Sequence, residues 1–278
     1  MDKPFVLIHI SDLHIHRLPH FPGGWRGKRT LGALNLLLNR RRRYPRARAA
    51  GLVRWLDAQE WDHLLISGDL TQLGTRVELA EARALLAPLL ARGSGRVTVL
   101  PGNHDRYVPD AAGDGFRETF GEFFGPGEIV TKPLAGPWWL CGWDSAGPRA
   151  WRSAEGHVRD ETLRATEAWL ATLPRDAQVL LANHYPLYFP PDYTPKRRHE
   201  LDNLAVVRTW VRANPPRAYL HGHDHRNWNF SPADLGAKVP MVNSASSTQV
   251  PGRGQTALLH RISLLDKDML IEGLHPRL

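Results

Sequence analysis

Five short clusters of aspartate, histidine and asparagine follow five apolar, strand-like runs along this 278-residue chain, and they constrain its fold more than any other feature. The clusters are Asp12-Leu13-His14, Gly68-Asp69, Gly102-Asn103-His104-Asp105, Asn183-His184 and His221-Gly222-His223-Asp224-His225. The runs before them span 5–10, 64–66, 97–100, 179–182 and 218–220. Because α/β folds place their chemistry on loops at strand ends, one rim of the sheet is expected to gather all five clusters.

The side chains of these clusters form a metal-binding set of carboxylates, imidazoles and one amide, without a thiolate. Such a set suits Mn, Fe, Zn or Co better than a structural zinc site built from cysteines. Each cluster alone also fits an ordinary turn or helix cap, but five in order favour a site for two ions. The candidate ligands are Asp12, His14, Asp69, Asn103, His184, His223 and His225. We predict two divalent ions, with Mn preferred and Fe, Zn and Co as alternatives.

The ordered clusters resemble the signature of the calcineurin-like metallophosphoesterases, which runs D-x-H, G-D, G-N-H-D, H and G-H-x-H. This resemblance extends from Asp12 to His225 and implies an α/β fold, a four-layer α/β/β/α sandwich of two mixed sheets flanked by helices. One ion would be bound by Asp12, His14, Asp69 and His225. The other ion would be bound by Asp69, Asn103, His184 and His223.

The resemblance also implies a hydrolase that cleaves a phosphodiester or pyrophosphate bond. Two cations about 3.5–4 Å apart can share a water, lower its pKa and hold the phosphoryl oxygens for in-line attack. His104 would contact the phosphate or protonate the leaving group, and Asp105 would orient its imidazole. Family members that serve only as scaffolds tend to lose ligands, whereas every cluster is retained here.

Composition and patterning predict a single domain over residues 1–278. The chain is 42% hydrophobic, has no linker-like stretch, and contains one cysteine, Cys141, which is expected to be a buried thiol in a reducing compartment. Apolar spacing predicts helices at 47–59, 77–91, 116–124, 160–173 and 204–212, and later strands at 238–243, 257–265 and 269–274. Neither a secretory signal nor a membrane-length apolar run is recognisable, so we expect a cytoplasmic protein.

A basic insert at residues 25–48 carries nine basic residues and no acidic one, although the net charge of the whole chain is only +8. Its leucines at one helical spacing and its arginine run favour peripheral contact with an anionic membrane and an acylated substrate. The insert also resembles, over a short stretch, that of the calcineurin-like UDP-2,3-diacylglucosamine pyrophosphatases of lipid A synthesis. The predicted contacts are Leu31, Leu34, Leu37, Leu38, Arg40, Arg41, Arg42 and Arg43.

Other interpretations remain open at this stage. The leucines of the insert can instead pack on the core, and its arginines can attract nucleic acid phosphates only without sequence specificity. The main alternative function is a soluble cyclic-nucleotide or glycerophosphodiester phosphodiesterase; a nuclease or a non-catalytic scaffold is less favoured. Candidate substrate contacts, for which a solvated loop is the alternative, are Arg106, Arg149, Arg152, Lys196, Arg197 and Arg198.

Overall fold

The computed structural model describes residues 3–17, 41–106, 113–148, 153–196, 198–244, 246–252 and 258–278. Most of the basic insert therefore lies outside the described residues, together with the predictions for Leu31, Leu34, Leu37, Leu38, Arg40 and the Arg41 side chain. The predictions for Arg149, Arg152 and Arg197 lie outside them as well.

Two mixed sheets form the centre of the described structure. Their strands, in chain order, are β1 Phe5–Ile10, β2 His63–Ile66, β3 Val97–Val99, β4 Ile129–Pro133, β5 Trp138–Trp143, β6 Gln178–Ala182, β7 Ala218–His221, β8 Asn227–Phe230, β9 Met241–Ser244, β10 Leu259–Leu265 and β11 Asp268–Leu274. The first sheet has the order β11-β10-β1-β2-β3, and the second has the order β4-β5-β6-β7-β9-β8. Strands β1 to β3 run parallel, as do β5, β6, β7 and β9.

Helices cover the outer face of each sheet. They are α1 Arg46–Asp57, α2 Arg76–Leu90, α3 Gly115–Phe124, α4 Asp160–Leu170 and α5 Leu204–Ala213. Side chains alternate along each strand, so neighbouring residues enter different layers. In β1, Ile8 packs with the apolar faces of α1 to α3, whereas Leu7 packs between the two sheets. In β6, Leu180 lies between the sheets and Leu181 packs with residues of α5.

This arrangement confirms the predicted α/β/β/α sandwich. The predicted helices and the strands before the metal clusters match the observed elements to within a few residues. Cys141 is buried in β5, and burial raises the pKa of its thiol to about 12, as expected for an inert structural cysteine. Among the residues that the structure describes, no helix combines the length and apolar character needed to cross a bilayer.

Two strands were not predicted, and one prediction began too early. Strand β4 is an edge strand that ends in Pro133, and β8 is an edge strand with the polar sequence Asn-Trp-Asn-Phe, so neither shows a clear apolar alternation. The strand predicted from residue 238 begins only at Met241, directly after Pro240, whose missing N–H cannot join the ladder.

Candidate metal centre

The structure brings all seven candidate ligands together at one rim, where β1, β2, β3, β6 and β7 end. The loops after β1 and β2 are joined by backbone hydrogen bonds, since the N–H of Asp12 donates to Gly68 O at 3.0 Å and that of His14 donates to Asp69 O at 3.0 Å. The N–H of Gly222 donates to His184 O at 3.0 Å, which joins the loops after β6 and β7. These hydrogen bonds hold the loops that carry the candidate ligands in fixed positions at the strand ends.

Backbone strain is concentrated at this rim. Eight non-glycine residues in the described ranges have positive φ angles, and five of them are candidate ligands: Asp12, His14, Asp69, His223 and His225. Their φ angles of 48° to 78° lie in the left-handed region, which costs L-residues free energy and persists only where the surrounding structure enforces it. Such strain collects at functional sites, so its distribution supports a functional rim.

Two glycines allow the loops to approach one another closely. A Cβ atom at Gly102 would collide with the backbone nitrogen and carboxylate of Asp69. A Cβ atom at Gly222 would collide with the side chains of Ser11 and Asp12. The glycines in the G-N-H-D and G-H-x-H clusters are therefore required by the distance between loops.

The first group of candidate ligands surrounds a point between the loops after β1, β2 and β7. Its donor atoms come from Asp12, His14, Asp69 and His225 and lie within 4.8 Å of one another. The Nε2 atoms of His14 and His225 are 2.9 Å apart, and His225 Nε2 is 3.2 Å from Asp12 Oδ1. Two imidazole nitrogens this close need a proton or a cation between them.

The second group shares Asp69 with the first and centres on His184. The Nε2 atom of His184 lies 3.4 Å from Asp69 Oδ1, 3.3 Å from Asn103 Oδ1 and 3.3 Å from His223 Nδ1. Asp69 thus directs Oδ1 towards this group, while Oδ2 lies 3.8 Å from His14 Nε2 in the other group. A carboxylate in this position can bridge two ions.

The unsatisfied atoms of the rim fit a bound cation. Asp12 Oδ1 and Asp69 Oδ2 are buried, and neither accepts a hydrogen bond from any part of the chain that the structure describes. A buried carboxylate oxygen without a donor costs free energy unless a positive ion compensates it. Oxygen and imidazole donors of this kind suit divalent first-row metals. The residues present therefore fit the metal pair that the sequence predicts.

The electrostatics of the rim favour positive charge at Asp69. Although burial acts to raise the pKa of Asp69, the neighbouring His184, His104 and His14 hold it well below its ordinary value. Burial alone would lower the pKa of His184, but the charge of Asp69 raises it to about 9. For His223, burial dominates and lowers the pKa well below the ordinary value, which keeps this imidazole neutral and able to donate a lone pair.

Hydrogen bonds outside the ligand groups orient three of the imidazoles. His184 Nδ1 lies 2.9 Å from Ser67 O, His223 Nε2 lies 2.8 Å from His199 O, and His225 Nδ1 lies 2.8 Å from the hydroxyl of Tyr44. Each bond leaves the other ring nitrogen directed into the site, as metal-binding histidines require. Tyr44 was not predicted from the sequence, because its partner His225 is 181 positions away and its own surroundings are a run of arginines.

His104 lies at the rim but outside both groups. Its Nδ1 is 2.7 Å from Gln72 O, and because a carbonyl only accepts, Nδ1 carries the proton and Nε2 is left for a ligand. The prediction that Asp105 orients this imidazole was wrong. The carboxylate of Asp105 instead accepts from the N–H groups of Leu70, Thr71 and Gly102 at 2.9 to 3.2 Å. Burial and the charge of Asp69 raise the pKa of Asp105 to about 7.

The basic residues that were predicted to contact substrate have different surroundings in the structure. Arg106 is 2.6 Å from one carboxylate oxygen of Asp144 and 2.7 Å from Asp114, and its side chain is 13% exposed. Its guanidinium is ion-paired within the protein, and its predicted contact with substrate stays a prediction. Lys196 lies at the cavity over the candidate ligands, whereas Arg198 is exposed and does not line this cavity.

The described end of the basic insert also reaches the metal centre. Arg43, which was predicted to contact membrane, lines the small cavity over the candidate ligands together with Lys196 and His104. This cavity has a volume of about 80 Å³. The predicted membrane contact of Arg42 is not tested by its position, which is an exposed one in the short helical turn Arg41–Arg43.

Residues 5–227 match the family model described as calcineurin-like phosphoesterase, and the chain belongs to this family. The match includes all five clusters. The family and the ligand groups together indicate a centre for two divalent ions and a hydrolase that acts on phosphoester bonds. A comparison with curated proteins found no match.

Solved structures support the same fold. A dimetal phosphatase from Danio rerio is similar with a TM-score of 0.64 at 14% identity, covering 98% of this chain and 96% of that one. A purple acid phosphatase from seeds of yellow lupin (Lupinus luteus) gives a TM-score of 0.61 at 12% identity. That similarity covers 98% of this chain and 51% of the lupin protein. At these identities the similarities establish the fold alone.

Proposed function

We propose that this protein hydrolyses a phosphodiester or pyrophosphate bond with the help of two divalent ions. The observation that carries the proposal is the sharing of Asp69 between two groups of buried candidate ligands, with Oδ1 facing His184 and Oδ2 facing His14. A carboxylate in this position would help to hold two cations, which would supply a polarised water and charge for the phosphoryl group. We propose Mn as the preferred metal, with Fe, Zn and Co as alternatives that suit the same mixed oxygen and nitrogen donors.

The bound ions would polarise the phosphoryl oxygens and lower the pKa of a shared water. Side chains of the protein would carry out the remaining steps. His104 is the candidate general acid: its Nδ1–H is fixed by Gln72 O, so in the imidazolium form it would donate the Nε2 proton to the departing oxygen and return to the neutral Nδ1–H tautomer. Lys196 and Arg43 contribute positive charge at the cavity mouth, where an anionic substrate must enter.

Two substrate classes are each supported by a different observation. An acylated nucleotide-sugar pyrophosphate, as hydrolysed by the UDP-2,3-diacylglucosamine pyrophosphatases, is supported by the short resemblance of the basic insert and by its leucine spacing. A soluble phosphodiester is supported by the position of Arg43, which lies at the metal centre although it belongs to the arginine run. Peripheral membrane contact and a role in lipid A synthesis depend on the first alternative.

Metal removal and restoration test the proposed chemistry. Chelation should abolish hydrolysis of a small chromogenic phosphodiester, and Mn²⁺ should restore it, with elemental analysis finding two ions per chain in the active state. Turnover that survives exhaustive chelation, with no metal detected, would overturn the proposal. Comparing the diester with an acylated nucleotide-sugar pyrophosphate then distinguishes the two substrate classes.

A further inference from the structure

A second cavity adjoins the metal centre on the side of His225. It is a groove of about 670 Å³, and Arg43 and His225 line both this groove and the small cavity over the candidate ligands. Its far wall is formed by Tyr193, Trp228 and Phe230, from the loop after β6 and from edge strand β8. We call this the aromatic groove. A molecule with its phosphate at the metal centre can therefore extend into it.

The aromatic wall is held in place by specific contacts. The ring centroids of Tyr193 and Trp228 are 5.2 Å apart, and Phe189 stacks on Tyr193 at 5.7 Å. The Tyr193 hydroxyl donates to Asp224 Oδ1 at 2.6 Å, and the Trp228 indole N–H donates to His221 Nε2 at 3.2 Å. Both rings are thus oriented by residues of the fifth cluster, His221 to His225. A preorganised aromatic wall loses little conformational entropy when it binds a flat ligand.

The chemistry of the lining distinguishes between two kinds of occupant. An acyl chain requires a continuous apolar surface, but the groove also presents the polar side chains of Asp192, Asn229 and Gln249. A heterocyclic ring stacks on aromatic faces and offers hydrogen-bonding edges to such groups. Arg226 lies over the Tyr193 ring at 5.2 Å, which places a positive charge beside the stacking surface.

We propose that the aromatic groove binds a nucleobase of the substrate, whose attached phosphate is cleaved at the metal centre. This proposal rests on the proposed phosphoester hydrolysis, assigns the groove to the base and limits the substrate to a nucleotide ester or anhydride. The ribose would pass between Arg43 and His225, which line both cavities, and the base would stack on Tyr193 and Trp228.

Competition between two simple phosphates tests this assignment. AMP and ribose 5-phosphate carry the same phosphate and sugar and differ in the base, so their inhibition constants against a small chromogenic diester isolate the groove. In the wild type, AMP should inhibit about 10-fold more strongly than ribose 5-phosphate, as expected for one stacked base. In Tyr193→Leu and in Trp228→Leu this ratio should fall towards one.

Tyr193→Phe is the matched control, because it keeps the ring and removes the hydroxyl that contacts Asp224. It should retain most of the preference for AMP. Equal inhibition by the two phosphates in the wild type, or a preference lost equally in Tyr193→Phe and Tyr193→Leu, would overturn the proposal. Melting temperatures identify variants that fail to fold. If Tyr193→Leu or Trp228→Leu fails to fold, Trp228→Phe and Tyr193→Ile are measured in its place. Trp228→Phe should keep the preference for AMP, and Tyr193→Ile should lose it.

The same comparison can be made without turnover. Calorimetric titration of the Mn²⁺-loaded protein with AMP and with ribose 5-phosphate measures the base contribution directly. Absence of hydrolysis together with a preserved AMP preference would contradict the proposed activity but support the groove assignment. Hydrolysis of the small diester without an AMP preference would support the proposed activity but contradict the groove assignment.

Discussion

The metal centre takes its candidate ligands from the ends of five different strands, whereas the aromatic wall of the groove comes from one loop and one edge strand. In the first region each side chain depends on the register of two sheets, and five backbone positions are strained. In the second, Tyr193 lies in a loop and Phe230 in an antiparallel edge strand, so neither residue belongs to the parallel strands. This difference suggests that the fold fixes the reaction, while the periphery selects the substrate.

The largest effect is expected for Asp69→Asn, which replaces the carboxylate shared by the two ligand groups. Activity should fall to background and metal content should drop, because one neutral amide cannot compensate two adjacent cations. Elemental analysis and diester hydrolysis check this. Asp176→Asn, at an exposed aspartate outside both regions, is the matched control and should behave as wild type. If Asp69→Asn retained both ions, the shared carboxylate would not be needed for metal binding. The contrast between the metal centre and the aromatic groove would then not hold.

His104→Ala should come next, with a loss of roughly 10²- to 10⁴-fold in kcat and little change in metal content. His104 lies outside both ligand groups, so it is expected to act on the chemical step rather than on ion binding. The loss should shrink for esters with good leaving groups, which need no protonation. If instead one ion is lost from the variant, His104 is a ligand and its assigned role is wrong.

A smaller effect is expected for Tyr44→Phe, which removes the hydroxyl 2.8 Å from His225 Nδ1. Removing such a partner of a metal-binding histidine typically lowers metal affinity about 10- to 100-fold. Activity should therefore be recovered at high Mn²⁺, and titration of activity against metal concentration measures the shift. The matched variant Tyr193→Phe, which removes a tyrosine hydroxyl from the groove, should need no additional metal. An unchanged metal requirement in Tyr44→Phe would mean that His225 is oriented by the backbone alone.

These positions also separate what the sequence could predict from what it could not. Asp12, Asp69 and His184 follow apolar strands, so local pattern and the family signature were sufficient to bring them to one rim. The contacts of Tyr44 with His225 and of Gln72 with His104 join residues distant in the chain and follow no motif.

The ion pairs of charged residues could not be predicted from the sequence. Arg106 is adjacent to a candidate ligand in sequence, yet its guanidinium is neutralised by Asp114 and Asp144. Sequence position therefore did not reveal which positive charges remain for a substrate. The aromatic groove was missed for a related reason, since Tyr193 and Trp228 are 35 positions apart and meet only because β8 pairs at the sheet edge.

The smallest effect concerns Arg43, which lies where the metal centre and the aromatic groove meet. Arg43→Gln should raise KM for a small diester by roughly 3- to 10-fold and leave kcat nearly unchanged, because an exposed guanidinium attracts the phosphate but is screened by solvent. Arg42→Gln is the matched control, since this neighbouring arginine is exposed and lines neither cavity. The KM difference should diminish at high salt. If both variants leave KM unchanged but weaken binding to anionic vesicles equally, the arginine run contacts membrane, and Arg43 does not connect the two regions.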